Sequence, residues 1–266
     1  MTIQDVDIAL RHPRSLNGKV ALVVGGYGAI GATISEMLAA AGAISIVAGR
    51  NGDRARTLAA ELTDNGASAQ GVALDACDVR AVRDLVGALS QRYGSIDILV
   101  NCIGFNKEQR LLEVTPEAFD EVYSRTLRVG MFLSQAVAAR QVSVGRAGSH
   151  IHLLSVRSSL GFRNRGYSAF CAAKGGLAML LKQVATELAP YGITVNGVAP
   201  GFVRTYKNET ALADATAFQQ ATADIPLGRL ATPGDVAGAV YFFASPLSRF
   251  VTGQILYVDG GLTASA

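Results

Sequence analysis

Short apolar runs and stretches of helical periodicity alternate along almost the whole chain. Val20-Ala21-Leu22-Val23-Val24 is continuously apolar and ends in glycines, the pattern of a strand buried on both faces. Ala32 to Ala41 follows with helical spacing and stops at Gly42. Ile44 to Ala48 predicts a second buried strand, Asp53 to Asn65 a helix ending at Gly66, and Ala69 to Leu74 a third strand. Val79 to Tyr93 predicts a helix with Val82, Leu85, Val86 and Leu89 on its apolar face, and Ile96 to Val100 a fourth strand. Ile151 to Leu154, Thr194 to Val198 and Gln254 to Val258 predict strands five to seven, with long helices between them and an apolar helix over Ala237 to Ala244. No composition break, linker or repeat interrupts the alternation. Such an order builds one parallel sheet with helices on both faces, joined by right-handed crossovers. We expect residues 18–266 to form this single α/β domain, after a polar extension over 1–17. Residues 204–227 are expected to act as a helical lid over the site.

Composition narrows the classes. Half of the 266 residues are hydrophobic and only 17% are charged, which predicts a large core rather than disorder. The net charge is +3 and the basic residues are scattered, so no nucleic-acid stripe is visible. Cys77, Cys102 and Cys171 are odd in number, lack CxxC spacing and sit among apolar residues. They predict buried thiols in a reducing compartment, not disulfides or a metal site. His150 and His152 alternate along a strand with no cysteine or carboxylate cluster beside them, which argues against zinc. The N-terminal residues lack the apolar core of a secretion signal, and no run reaches the ~18 apolar residues of a membrane span. The expectation is a soluble cytoplasmic protein that engages neither nucleic acid nor membrane.

Candidate chemistry begins at Gly25-Gly26-Tyr27-Gly28-Ala29-Ile30-Gly31, between the first strand and the first helix. Glycines there let the backbone approach a pyrophosphate while the amides of the helix N-terminus point at it, as in a Rossmann-type doubly wound sheet. Folds that prefer NAD(H) place an acid at the end of strand two for the ribose 2′-hydroxyl. This chain has Ala48-Gly49-Arg50-Asn51 there. A permanently charged, bidentate arginine complements a 2′-phosphate, so NADP(H) is the expected cofactor.

Tyr167-Ser168-Ala169-Phe170-Cys171-Ala172-Ala173-Lys174 resembles the catalytic helix of the short-chain dehydrogenase/reductases. That family uses Tyr-x-x-x-Lys, since residues i and i+4 share a helix face and the ammonium lowers a tyrosine pKa that starts near ~10. Phe170 occupies the tyrosine position and has no proton to give. The likeness spans residues 18 to 262. The glycine turn resembles Thr-Gly-x-x-x-Gly-Ile-Gly with Val24 and Ala29 as departures, and Gly28 is expected to supply the missing flexibility. Asp75-Ala76-Cys77-Asp78 resembles Asp-Val-x-Asp, which implies Asp75 and Ala76 beside adenine and Asp78 as a helix N-cap. Asn101-Cys102-Ile103-Gly104 keeps the first and last residues of Asn-Asn-Ala-Gly. Pro200-Gly201-Phe202-Val203-Arg204-Thr205 resembles the turn on the nicotinamide side, with Val203 and Thr205 near the carboxamide.

By the same resemblance Ser155 hydrogen-bonds the substrate oxygen and Lys174 holds the ribose hydroxyls. Ser155 lies fifteen positions before Phe170, two more than usual, so the loop from Arg157 to Gly166 is enlarged. Thr126 stands where the family carries an asparagine of the proton relay. The resemblance implies an NADP(H)-dependent oxidoreductase interconverting a small-molecule carbonyl and a secondary alcohol, impaired or trapped by Phe170. The alternatives are a catalytically silent NADP-binding sensor and an enoyl-type reductase. Natural divergence and a deliberate Tyr→Phe replacement both fit the isolated swap. Tyr167 is a poor substitute donor, because seven helical residues place it about 10.5 Å from Lys174 along the axis. The last strand, within Phe250 to Gly261, resembles the family's edge at a two-fold contact and implies a homotetramer.

Overall fold

Alternation along β1 (Val20–Val24) sends Ala21 and Val23 to one face of a sheet and Val20, Leu22 and Val24 to the other, and all five are buried. A strand with two apolar faces needs a helix layer on each side, and the fold supplies both. The structure is a computed structural model that describes residues 15–206 and 208–265. Residues 1–14 of the expected extension, Lys207 of the expected lid and Ala266 lie outside the described residues.

After β1 come α1 (Ala29–Ala40), β2 (Ile44–Gly49), α2 (Gly52–Asp64), β3 (Ala69–Ala73), α3 (Val79–Tyr93) and β4 (Ile98–Asn101). Then follow α4 (Pro116–Tyr123), a π-helical segment (Ser124–Arg128), α5 (Val129–Ser143), β5 (Gly148–Leu153), α6 (Ser168–Leu188) and β6 (Ile193–Pro200). Short helices α7 (Glu209–Leu212) and α8 (Ala215–Thr222) lie within 204–227, before α9 (Pro233–Ala244) and β7 (Ile255–Val258). The seven strands are parallel in the order β3-β2-β1-β4-β5-β6-β7. Ile34 and Leu38 of α1 and Val236, Val240 and Phe243 of α9 pack on Ala21, Val23, Val100 and Ile151. On the opposite face, α3 and α5 bring Val82, Val86, Leu89 and Leu133 against Leu22, Ile46 and Leu99. Leu177 and Leu181 of α6 cover Val195 and Ala199. No helix among the described residues is long and apolar enough to cross a membrane.

Several boundaries differ from the periodicity. Helix α1 begins three residues earlier than the pattern, because the glycine turn closes directly onto it: Gly28 N donates to Gly25 O (3.0 Å) and Ala32 N to Gly28 O (2.7 Å). Ile96 is not in a strand. It is 1% exposed and its carbonyl accepts from Gln141 Nε2 at 2.8 Å, so β4 starts at Ile98. Helix α9 starts at Pro233, fixed by a capping box between Thr232 and Asp235 that lies outside the apolar run. Asp78 caps α3 as expected, accepting from Arg80 N and Ala81 N. Leu16 is 1% exposed and donates its amide to Ala41 O (3.0 Å), so the domain's packing already includes residues just before Gly18.

Candidate active site

All seven strands are parallel, so their carboxyl ends share one edge, and the strand order reverses beside β1, between β1 and β4. A crevice opens at such a switch point, and loops leaving those ends converge on it. The glycine turn follows β1, Arg50 follows β2, Asp75 follows β3, Asn101 ends β4, Ser155 follows β5 and Gly201 follows β6.

The turn is shaped by close packing as much as by any ligand. Gly25 has φ +83°, and a Cβ on Gly31 would fall 2.2 Å from Gly25 O. Gly28 corrects an expectation. Its φ of −72° is open to any residue, so it does not replace the flexibility of the missing glycine, and a side chain there would only crowd Gly25 O at 3.2 Å. The first-turn amides of α1, those of Ala29, Ile30 and Gly31, have no carbonyl one turn earlier and no capping side chain. That is a cradle for an anion.

Tyr27 closes the neighbouring wall. Its ring lies against Gly49, where a Cβ would approach to 2.4 Å, and its hydroxyl accepts from Asn51 N at 2.8 Å. Asn51 caps α2 by accepting from Arg54 N (3.0 Å). Arg50 is exposed and forms no ion pair among the described residues, and the nearby acid Asp53 is taken by Arg56 at 2.6 Å. Arg54, which the pattern did not single out, lies 5.0 Å from the Tyr27 ring centroid. A clue was present: a basic residue in a helix's first turn opposes the macrodipole and favours an anion nearby. Asp75 is exposed and accepts from Cys77 N (3.0 Å), while Ala76 beside it is buried.

Asn101 is fully buried and its side chain turns inward. Oδ1 accepts from Ile103 N (3.0 Å) and Nδ2 lies 3.2 Å from His152 Nδ1. His152 Nε2 in turn lies 2.9 Å from Ser134 Oγ. With the amide donating to Nδ1, the proton sits on Nε2 and the imidazole is neutral. Burial, with Lys174 adding to it, pushes the His152 pKa down to about 4. A Cβ at Gly104 would lie 3.2 Å from Lys174 Nζ, so this position keeps the lysine's space clear.

Lys174 is 3% exposed and donates Nζ to Leu153 O at 2.5 Å, two residues before Ser155. Burial lowers its pKa to about 8. Its Nζ lies 5.9 Å from the Phe170 ring centroid, so the i, i+4 pair keeps its face with a ring that carries no hydroxyl. Ser155 Oγ accepts from Arg157 N at 3.1 Å. Thr126 is fully buried on the π-helical segment, and its hydroxyl meets Phe105 N and O, each at 3.4 Å. Single-turn π segments recur at functional sites, but no apolar periodicity announces one. Phe202 approaches Phe162 edge-on (5.7 Å), Phe162 meets Tyr167 (5.3 Å), and Tyr167 meets Phe170 (5.8 Å). A Cβ at Gly201 would crowd Asp259 at 3.0 Å, so the turn packs closely here. Pro200 ends β6 beside Val258, Val203 bridges Ala231, and Thr205 N donates to Asn208 Oδ1 (2.8 Å).

A doubly wound parallel sheet with a glycine turn at its switch point and a lysine helix flanking the serine strand defines a class of nucleotide-binding oxidoreductases. The chain belongs to the short-chain dehydrogenase/reductase family. A family model described as Enoyl-(Acyl carrier protein) reductase matches residues 26–263. The chain is similar to the 3-oxoacyl-(acyl-carrier-protein) reductase FabG of Vibrio cholerae, 36% identical over 93% of this chain and 98% of that protein. It is 34% identical to gluconate 5-dehydrogenase of Gluconobacter oxydans over 96% of this chain and 100% of the relative. Among solved structures, a gluconate 5-dehydrogenase from Burkholderia cenocepacia in complex with NADP and tartrate superposes with a TM-score of 0.89. That match has 34% identity over 96% of this chain and 99% of that one.

Proposed function

We propose that this chain binds NADP(H) at the carboxyl edge of its sheet and presents a carbonyl or secondary alcohol to Ser155. Its proton step is impaired because Phe170 fills the donor position. The observation that carries the reading is the buried Lys174 ammonium, tied to Leu153 O beside the serine and facing the Phe170 ring at 5.9 Å. The residues present fit the cofactor. The uncapped N-terminus of α1 with Gly25, Tyr27, Gly28, Ala29, Ile30 and Gly31 suits the pyrophosphate. Arg50, with Asn51 and Arg54 beside it, suits a 2′-phosphate. Asp75 and Ala76 flank the adenine position. Asn101 and Gly104 shape the wall along which Lys174 would hold the ribose, and Pro200, Gly201, Val203 and Thr205 border the nicotinamide. When bound, the nicotinamide supplies or accepts the hydride.

In the reducing direction the carbonyl carbon gains a hydride and the oxygen gains a proton. The Ser155 hydroxyl donates a hydrogen bond to that oxygen and polarises it, but Phe170 has nothing to transfer, so the proton has to come from solvent. Loss of a positioned acid typically slows such a step by ~10²–10⁴. Phe170→Tyr should therefore raise NADPH-dependent turnover of a carbonyl panel by about that factor. Unchanged turnover with a carbonyl shown to bind would remove the assignment.

The NADP preference is also supported by the NADP complex of the Burkholderia relative. A second reading, a silent NADP-binding sensor, is favoured by Thr126, whose hydroxyl is engaged by the Phe105 backbone rather than open to a relay. Tight NADPH binding combined with silence of Phe170→Tyr would select it, and enoyl turnover by the unaltered chain would select double-bond reduction. The reading includes a single domain over 18–266, a lid over 204–227 and action in the cytoplasm, which suits the free thiols of Cys77, Cys102 and Cys171. It also includes a homotetramer, supported by the half-covered edge strand β7.

A further inference from the structure

Arg157 is a charged side chain in an enclosed place. It is 9% exposed, and among the described residues no carboxylate pairs with it. Its one described side-chain hydrogen bond runs from Nη1 to Gly161 O at 2.5 Å, and its guanidinium lies 3.9 Å above the Phe162 ring. Burial lowers its pKa, with Cys171 and Tyr167 close enough to oppose the shift. Withdrawing a cation from water is costly unless charge or hydrogen bonds compensate, so natural chains rarely keep one uncompensated. A single carbonyl and a ring face satisfy one of five N–H donors.

The location gives the missing charge an identity. The backbone amide of Arg157 is bonded to Ser155 Oγ, so its guanidinium is tethered within one side-chain length of the serine. The Phe162 ring beneath its guanidinium belongs to the aromatic wall from Phe202 through Tyr167 to Phe170. The other arginine of this wall, Arg165, is already satisfied. Its Nε donates to Glu108 Oε1 at 2.6 Å in a two-pronged pair. Of these two arginines, Arg157 is the one whose fork is open among the described residues, and a planar carboxylate is the anion that a guanidinium fork matches.

We propose that Arg157 is a specificity-determining residue that binds a carboxylate of the substrate, so that the carbonyl or alcohol acted on beside Ser155 belongs to an oxo- or hydroxy-carboxylic acid. The inference rests on Ser155 and position 170 marking the reacting centre. Phe170 makes binding separable from turnover, which simplifies the test.

The experiment is calorimetric titration of the NADPH-loaded protein with 2-oxobutanoate, acetoacetate and levulinate, which space the carbonyl differently from the acid, and with their uncharged methyl esters. At least one acid should bind about tenfold or more tighter than its ester. Arg157→Gln keeps a donor for Gly161 O and loses the charge. It should erase that preference while leaving NADPH affinity and the melting temperature close to the parent's. Acids binding no better than esters, binding of no acid at all, or a preference that survives Arg157→Gln would each overturn the proposal. So would a collapse of thermal stability in Arg157→Gln with the acid preference intact, which would make the arginine a pin for its loop. Phe170→Tyr separates this inference from the reading beneath it. If that variant reduces neutral ketones as well as oxo-acids, the carboxylate role fails and the reaction stands. If it reduces nothing while the parent's Arg157-dependent acid binding holds, the reaction fails and the anion site stands.

Discussion

At position 170 a phenylalanine ring faces Lys174 across one helical turn, its centroid 5.9 Å from the ammonium. The ring keeps its packing against Tyr167, and Lys174 keeps its place, since neither depends on a hydroxyl. Arg50 poses the converse case of a charge with no protein partner among the described residues and a free approach from solvent. Arg50→Ala should weaken NADPH binding and narrow its margin over NADH, and superimposable titrations of the two cofactors by the parent protein would remove the argument. Gly166 carries a different constraint. Gln109 N donates to Gly166 O (3.1 Å) and Gly166 N to Glu108 Oε1 (3.2 Å), clasping the loops after β4 and β5. A Cβ at Gly166 would meet the Gln109 carbonyl carbon at 2.3 Å, so Gly166→Ala should cost about 1–3 kcal/mol in thermal unfolding. A variant as stable as the parent would show that the clasp yields freely. The placement of Ser155 after a strand, and of Phe170 and Lys174 one helical turn apart, was legible because spacing within one helix and position at a strand end are local properties. Arg157 was not, since in the sequence it is one basic residue in a polar loop, and only its burial with no carboxylate partner among the described residues singles it out.

Among the elements, β5 carries two histidines on its buried length. His150 Nε2 lies 3.0 Å from Gln141 Oε1, and burial, with His152 adding to it, lowers its pKa to about 3. His152, held between Asn101 and Ser134 with Lys174 of α6 nearby, falls to about 4. Both folded values lie below the ordinary value of 6.5. The unfolded chain therefore takes up protons below pH 6.5 that the folded chain refuses until pH 3–4. Stability is complete above pH 6.5 and falls as the solution is acidified, by up to about 1.4 kcal/mol per pH unit for each histidine. Urea midpoints between pH 7 and pH 4.5 should decline accordingly, and His152→Asn should make the decline shallower. A flat profile would mean that neither ring is held neutral. The glycine turn and the cap at Asp78 were readable at this scale because turn chemistry and capping are written in a few adjacent residues. The π-helical segment was not, because its insertion leaves the apolar period on both sides unchanged.

Across the whole molecule, β7 ends the sheet with a half-covered face. Leu256 is 40% exposed, Phe250 is fully exposed, and a cavity of 730 Å³ lies over the strand between Leu227, Arg229, Phe242 and Tyr257. A second groove of 560 Å³ runs between α5 and α6, lined by Tyr123, Met131, Phe132 and Met179. Two separate apolar surfaces on one chain are what the proposed homotetramer would need for two different two-fold contacts. Light scattering should give about four times the chain mass, and a mass near 27.7 kDa in dilute solution would rule the assembly out.

The sequence by itself determined the alternation of strand and helix, the parallel sheet, the glycine turn and the cap at Asp78, because each follows from periodicity or from neighbours a few residues apart. Only the tertiary structure decided that Asn101 turns inward to His152, that Tyr27 closes the wall beside Arg50, and that Arg157 is enclosed with no carboxylate partner among the described residues. Those are properties of burial and of contacts between segments far apart in the chain, and no local pattern encodes what surrounds a charge.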